Sequence, residues 1–234
     1  ADKTYFLPPT LTNGNVHGII VLNVYNERLL RLLAETQIPK VFLDTSSLVA
    51  PDELNGDLLL MESRTSVRRI TCHLLEQGRT LPGFIGDISY AQSNRERYEG
   101  FCQALADAGK KVDSSLCLTT PLGIDTYREE IDTFLSSLSR MPDAFVCASD
   151  YVACILMQLL EKRGLRVPED VAVSGFDNNT EDLLAEHLTT VQVFNEELGA
   201  RLALQILYRI KYPNTPHEIT YLGTNVLYRD STGD

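Results

Sequence analysis

Residues 142–178, PDAFVCASDYVACILMQLLEKRGLRVPEDVAVSGFDN, constrain the fold of this chain more than any other stretch. They read as strand, helix, strand. The apolar run 144–148 and the β-branched run 171–173 have the character of buried parallel strands. Between them Val152, Ile155, Leu156, Leu159 and Leu160 fall on one helical face, and Gly164 stands where a helix C-cap belongs. An acidic residue follows each strand, Asp150 and Asp177. In an open α/β sheet ligands bind outside the carboxyl ends of the strands. Ser149, Asp150 and Asp177 are therefore expected at the rim of a small-molecule cleft, in a setting that announces binding and no bond-making chemistry.

The same alternation runs through the whole chain. Strand-like segments at 18–22, 40–43, 83–85, 116–118, 144–148, 171–173 and 190–193 are separated by helical patterns at 27–35, 65–76, 94–108, 125–138, 151–163 and 196–211. This βαβα order predicts mostly parallel sheets covered by helices. The strands outnumber what one compact sheet needs, so two α/β lobes are expected. Crossings between them are expected near residues 60–61, 192–194 and 221–224.

Composition narrows the function. The 234 residues, 44% hydrophobic, support one large or two small cores. A net charge of −11 argues against a nucleic-acid-binding surface on this chain. No apolar run reaches the roughly 18 residues a membrane helix needs. The N-terminal ADKTYFLPPT lacks the layout of a secretory signal. Five cysteines, Cys72, Cys102, Cys117, Cys147 and Cys154, are odd in number and sit mostly in apolar patterns. They read as reduced core thiols and favour a cytoplasmic location. The histidines are scattered, and no metal-ligand spacing, phosphate loop or nucleophile elbow occurs. Neither an enzyme nor a cofactor is expected.

The segment 93–109, SNRERYEGFCQALADAG, opens with Ser93 and Glu96 at capping-box spacing. Arg97 then lies in the first turn on the side of Phe101 and Ala104. It is either a planar fork of donors for ligand oxygens or a surface arginine whose stem covers apolar neighbours. Asp177 either accepts hydrogen bonds from a ligand or shapes an Asx turn and caps a segment at 180–185. Asp150 reads as a helix N-cap. Asp44, ending the run VFLD, is either a cleft residue or a turn former. Arg64, Arg68 and Arg69 read as a solvated face.

These motifs together resemble the lactose/galactose-repressor (LacI/GalR) family. The segment 93–109 is similar to the family's S-x-x-x-R-x-x-G-F-x-x-A-L-x-x-x-G signature. Residues 142–178 resemble its PDA…ND…VP-x-D-V…GFD block, and LTTVQVFNEELGARLALQIL and LYRDST resemble its closing elements. The resemblance covers nearly the whole chain in the right order. It implies a periplasmic-binding-protein-like fold of two doubly wound parallel-sheet lobes with a ligand cleft between them. The lobes are expected over 1–61 plus 192–221, and over 62–191 plus 222–234.

The resemblance also implies a role. Arg97 matches the arginine that grips the effector, Ser93 a contact one turn earlier and Asp177 the acidic ligand. Ser149 replaces the usual asparagine, Asp44 matches a strand-end cleft position, and Asn195 falls near a contact at the crossover. The implied protein is a cytoplasmic, homodimeric transcription regulator. Its small-molecule effector is a sugar or sugar derivative, and it reaches operator DNA through a headpiece missing here. The alternative is a periplasmic sugar-binding receptor of a membrane transporter. Residues 3–7, KTYFL, are expected to be the family's second strand, with the first strand and helix missing and a sheet edge thereby exposed.

Overall fold

The computed structural model describes residues 5–11, 13–123, 125–178 and 186–234. In chain order the elements are β1 (Ile19–Leu22), α1 (Glu27–Glu35), β2 (Lys40–Leu43), β3 (Asp57–Met61), α2 (Arg64–Glu76) and β4 (Pro82–Ile85). There follow α3 (Gln92–Asp107), β5 (Cys117–Leu118), α4 (Tyr127–Ser137), β6 (Ala144–Cys147) and α5 (Asp150–Lys162). The chain closes with β7 (Ala172–Ser174), β8 (Thr190–Gln192), α6 (Asn195–Lys211), β9 (Ile219–Leu222) and β10 (Asn225–Leu227). They fall into two compact units. Unit 1 holds Ala1–Met61, Tyr90–Ser93 and Phe194–Gly223, and unit 2 holds Glu62–Ser89, Asn94–Val193 and Thr224–Asp234.

Unit 1 is a parallel sheet of order β1-β2-β3-β9. On one face Val21, Phe42, Leu58 and Leu60 pack with Leu30 and Leu33 of α1. That helix starts where Asn26 accepts a hydrogen bond from the Leu29 amide at 3.0 Å, satisfying one of the donors a helix start leaves open. On the other face Ile206 and Ile210 of α6 press so close to Gly18 that a Cβ there would stand 2.8–2.9 Å from them.

An ion pair joins sheet and helix in this unit. Asp57, wholly buried at the start of β3, accepts from Arg209 Nε at 3.0 Å, Gln205 Nε2 at 2.8 Å and the Glu218 amide at 2.9 Å, and also from Arg209 Nη2.

Unit 2 is a second parallel sheet, β5-β4-β6-β7, beside an antiparallel β8–β10 ribbon. Its core gathers Ile85, Phe145, Val173, Ile131, Leu156 and Leu160. α3 can lie against the start of α2 because residue 100 is glycine, since a Cβ there would come within 2.2 Å of the Arg64 carbonyl oxygen. α5 ends as expected, with Gly164 in the left-handed region at φ +72°.

Three strands escape the sequence reading: β3, β9 and β10. Each lies in or beside a stretch read as a crossing. One expected strand is absent, for Tyr5–Leu7 are not a strand, Phe6 being 81% exposed; Lys3 and Thr4 lie outside the described residues. Among the described residues β1 pairs with β2 alone.

Candidate functional site

The carboxyl ends of β6 and β7 carry the densest group of expected site residues. From α3 the Arg97 side chain runs in at 5% exposure and stacks over the Phe176 ring, its guanidinium carbon 3.6 Å from the ring centroid. Nη1 donates to the Ala148 carbonyl and, at 3.5 Å, to Asn94 Oδ1. Nη2 faces Asp177 Oδ1, also at 3.5 Å. That is well beyond the ~2.7–2.9 Å of a strong charged hydrogen bond. Nε is buried and has no partner. Arg97 is therefore no surface residue, and its donors are only partly used.

Asp177 follows β7 with φ +112°, its amide donating to the Val191 carbonyl at 3.1 Å. Burial pushes its carboxyl above the ordinary aspartate pKa, and Arg97 only partly opposes this. The side chain still keeps 43% of its surface open, so the crowded carboxylate retains an accessible side. Asn178, also at positive φ, donates to Gln192 Oε1 at 2.5 Å and accepts from Arg229 Nη2 at 2.8 Å. Arg229, in the closing LYRDST stretch, thus supports the turn that carries Asp177. The segment 180–185, expected to be capped by Asp177, lies outside the described residues.

The expectation for Asp150 is corrected here. Ser149, not Asp150, caps α5: its Oγ accepts from the Val152 amide at 3.3 Å. Asp150 is the first residue of the helix and is buried, accepting from Thr190 Oγ1 at 2.6 Å. Its carboxylate fills the space beside Gly175, where a Cβ would lie 2.2 Å from Asp150 Oδ1. A hydroxyl one residue earlier reaches the open amides better, and the larger carboxylate is drawn into the β7–β8 junction.

In unit 1, Asp44 and Ser93 meet. Asp44 directly follows β2 at φ +60° and is 3% exposed. It accepts from Ser93 Oγ at 2.6 Å, the Thr45 amide at 2.8 Å and the Tyr25 hydroxyl at 3.3 Å. α3 begins at Gln92, ahead of Ser93, so Ser93 lies within the first turn and its hydroxyl serves Asp44. Asp44 is thus both the turn former and a buried acceptor. Tyr25 and Tyr90, missed in the sequence, pack against each other beside it, their rings tilted by 49° with centroids 4.2 Å apart. Only their position after strands could have flagged them. Asn195 opens α6, exposed, and hydrogen-bonds to neither Asp44 nor Ser93.

Chemically, the unit 2 group offers a fork of donors beside a carboxylate, which suits a hydroxyl-bearing or amide-bearing molecule. Among the described residues no cluster of His, Cys, Asp and Glu could hold a metal ion, and no helix is long and apolar enough to cross a membrane.

Comparison with known proteins fits this arrangement. The chain is 29% identical over 225 residues, 94% of its length, to the HTH-type transcriptional repressor PurR of Aliivibrio fischeri. It is 31% identical over 170 residues, 72% of its length, to the HTH-type transcriptional regulator DegA of Bacillus subtilis. It spans 66% of that PurR and 48% of that DegA. Among solved structures, a complex of the transcriptional regulator CelR with cellobiose superimposes with a TM-score of 0.84 at 27% identity, over 95% of this chain and 68% of that one. A LacI family regulator from Enterococcus faecium shares the fold, with a TM-score of 0.76 at 23% identity over 94% and 81% of the two chains. The chain strongly resembles LacI/GalR-type regulators. The profile of the periplasmic binding protein-like domain matches residues 71–232, and the chain belongs to that family.

Proposed function

We propose that this chain is the effector-sensing core of a LacI-type transcription regulator, with a sugar or sugar derivative as effector. The observation that carries the reading is Arg97. A buried guanidinium with a loose carboxylate partner and an orphaned Nε is costly to the fold, unless a ligand completes its hydrogen bonds. Asp177 supplies the matching acceptor for hydroxyl donors, and Asp44 with Ser93 is the second proposed contact pair. Ser149 is half-buried and uses one lone pair of its oxygen for the α5 cap, and its O–H remains a donor for a ligand. Asn195 is the most peripheral member.

The regulator reading draws on the similarity to PurR and to the cellobiose-bound CelR. DNA reading is assigned to the part of such longer relatives that this chain does not span, and the working form is a homodimer. An effector that binds one conformational state better than another shifts the equilibrium by that difference, typically about 1–3 kcal/mol.

A thermal-shift screen of the chain against cellobiose, ribose, sugar phosphates and purine bases tests the proposal. One class is expected to stabilise it, by about 2.7 kcal/mol at a hundredfold excess over Kd, and to leave Arg97→Ala unshifted. Equal stabilisation of Arg97→Ala would move the site elsewhere.

A further inference from the structure

We propose that a cavity between the first turns of α4 and α5, within unit 2, is a second small-molecule site, and that its ligand is an α-amino acid with an aromatic side chain. The site goes beyond the effector reading and shares no residue with the Arg97 group.

The two helices share one core. Ile131 and Leu135 of α4 belong to the same buried cluster as Ile155, Leu156 and Leu159 of α5 and Phe145 of β6. Ahead of that core the sequence places a bulky ring in each first turn, Tyr127 opening α4 and Tyr151 second in α5. The rings meet edge to face, with centroids 5.7 Å apart and planes at 86°. Both rings and Ile155 line a cavity of about 350 Å³. That size is at the small end of ligand pockets and suits a molecule of roughly a dozen non-hydrogen atoms.

Charge selects the ligand. Arg128 lines the cavity half-buried and gives Nη2 to Gln158 Oε1. Among the described residues that is its one hydrogen bond, and it makes no ion pair. A guanidinium carries five N–H donors, so most of its capacity is open. Asp125 and Glu129, exposed on the same lining, have carboxylates that accept no hydrogen bond and form no ion pair among the described residues. An α-amino acid carries the complement of all three features. Its carboxylate takes the planar donor fork of Arg128, with the Gln158 amide alongside. Its ammonium goes to Asp125 and Glu129, and its ring packs on Tyr127, Tyr151 and Ile155. A simple anion would face the two carboxylates, a simple cation would face Arg128, and a neutral sugar would leave every charge unpaired.

Amide NMR titration of the chain with L-phenylalanine tests the proposal. Saturable shifts are expected in the first turns of α4 and α5, with a Kd of about 0.1–1 mM for a ligand of that size. Phenethylamine lacks the carboxylate and 3-phenylpropionate lacks the ammonium, and each is expected to bind at least about tenfold more weakly. Arg128→Ala should weaken L-phenylalanine binding by about tenfold or more, and Tyr151→Ala should weaken it by removing one wall. Arg128 is half-buried and Tyr151 exposed, so both variants should fold, and circular dichroism checks this. Arg97→Ala should leave L-phenylalanine binding unchanged, which separates this site from the effector group. No saturable shift up to about 20 mM, well above the expected Kd, would overturn the site and leave the effector reading standing. Equal affinity for the single-charge analogues would overturn the amino-acid assignment. Loss of binding in Arg97→Ala would place the ligand at the Arg97 group and overturn the second site.

Discussion

Unit 1 and unit 2 each bury an arginine beside an aspartate, and the two pairs are finished to different degrees. Arg209 gives Nε and Nη2 to Asp57, Nη1 to Thr215 and Nη2 again to the Pro216 carbonyl. Burial alone would raise the Asp57 carboxyl. The hydrogen bonds from Arg209, Gln205 and the Glu218 amide outweigh it and hold the pKa below the ordinary value. Arg97 reaches Asp177 only at 3.5 Å and keeps an orphaned Nε, and there burial wins, so the Asp177 carboxyl is pushed up. The opposite directions of the two carboxyls distinguish a completed pair from an incomplete one. A completed pair is spent on the fold. An incomplete pair retains hydrogen-bonding capacity that a ligand can take up.

The contrast breaks most readily at Arg209. Arg209→Ala leaves Asp57 charged, buried and short of its main partner, and should cost about 3–5 kcal/mol, read as a lowered urea midpoint. Because the Asp57 pKa is lowered by folding, its stabilisation is present above the ordinary aspartate value and is lost as pH falls through the folded one. The parent should show that acid-side loss, and Asp57→Ala should lack it.

Arg97→Ala is expected to cost less to the fold, about 1–3 kcal/mol for the Ala148 carbonyl left without its donor. Its main effect should be on the effector that the thermal-shift screen identifies. Affinity should fall about ten- to a hundredfold, as for a charged bidentate contact, measured by calorimetry. Destabilisation equal to that of Arg209→Ala, with binding unchanged, would make the two pairs alike.

The smallest expected effect on stability is that of Asp177→Asn. Asparagine tolerates positive φ as aspartate does, so the turn should persist. The Asp177 carboxyl is harder to ionise in the folded chain than in the unfolded one. The unfolded state therefore releases its proton first. Native stability contributed by this residue falls as pH rises from the ordinary aspartate value through the raised one. In Asp177→Asn that fall should disappear from a pH series of denaturation midpoints, while effector affinity drops. Unchanged affinity would leave Asp177 a turn former only.

Periodicity alone made the βα alternation, the buried helix face of α5 and the Gly164 stop legible, because burying an apolar stripe leaves the same imprint in any context. The resemblance picked out Arg97, Ser93, Asp177 and Asp44 one by one, and it was the fold that set Asp44 against Ser93 and Arg97 near Asp177. What sequence could not reach was decided over long separations. β3 and β9, parallel neighbours in unit 1, are joined by more than 150 residues of chain, so no local pattern pairs them. Ser149 rather than Asp150 became the cap because Thr190, forty residues on, claims the Asp150 carboxylate. Whether Asp57 and Asp177 are complete or open was set by how many donors the fold delivers to each. Spacing in a chain records which residue types recur, whereas hydrogen-bond satisfaction depends on atoms that only the packed structure brings within about 3 Å.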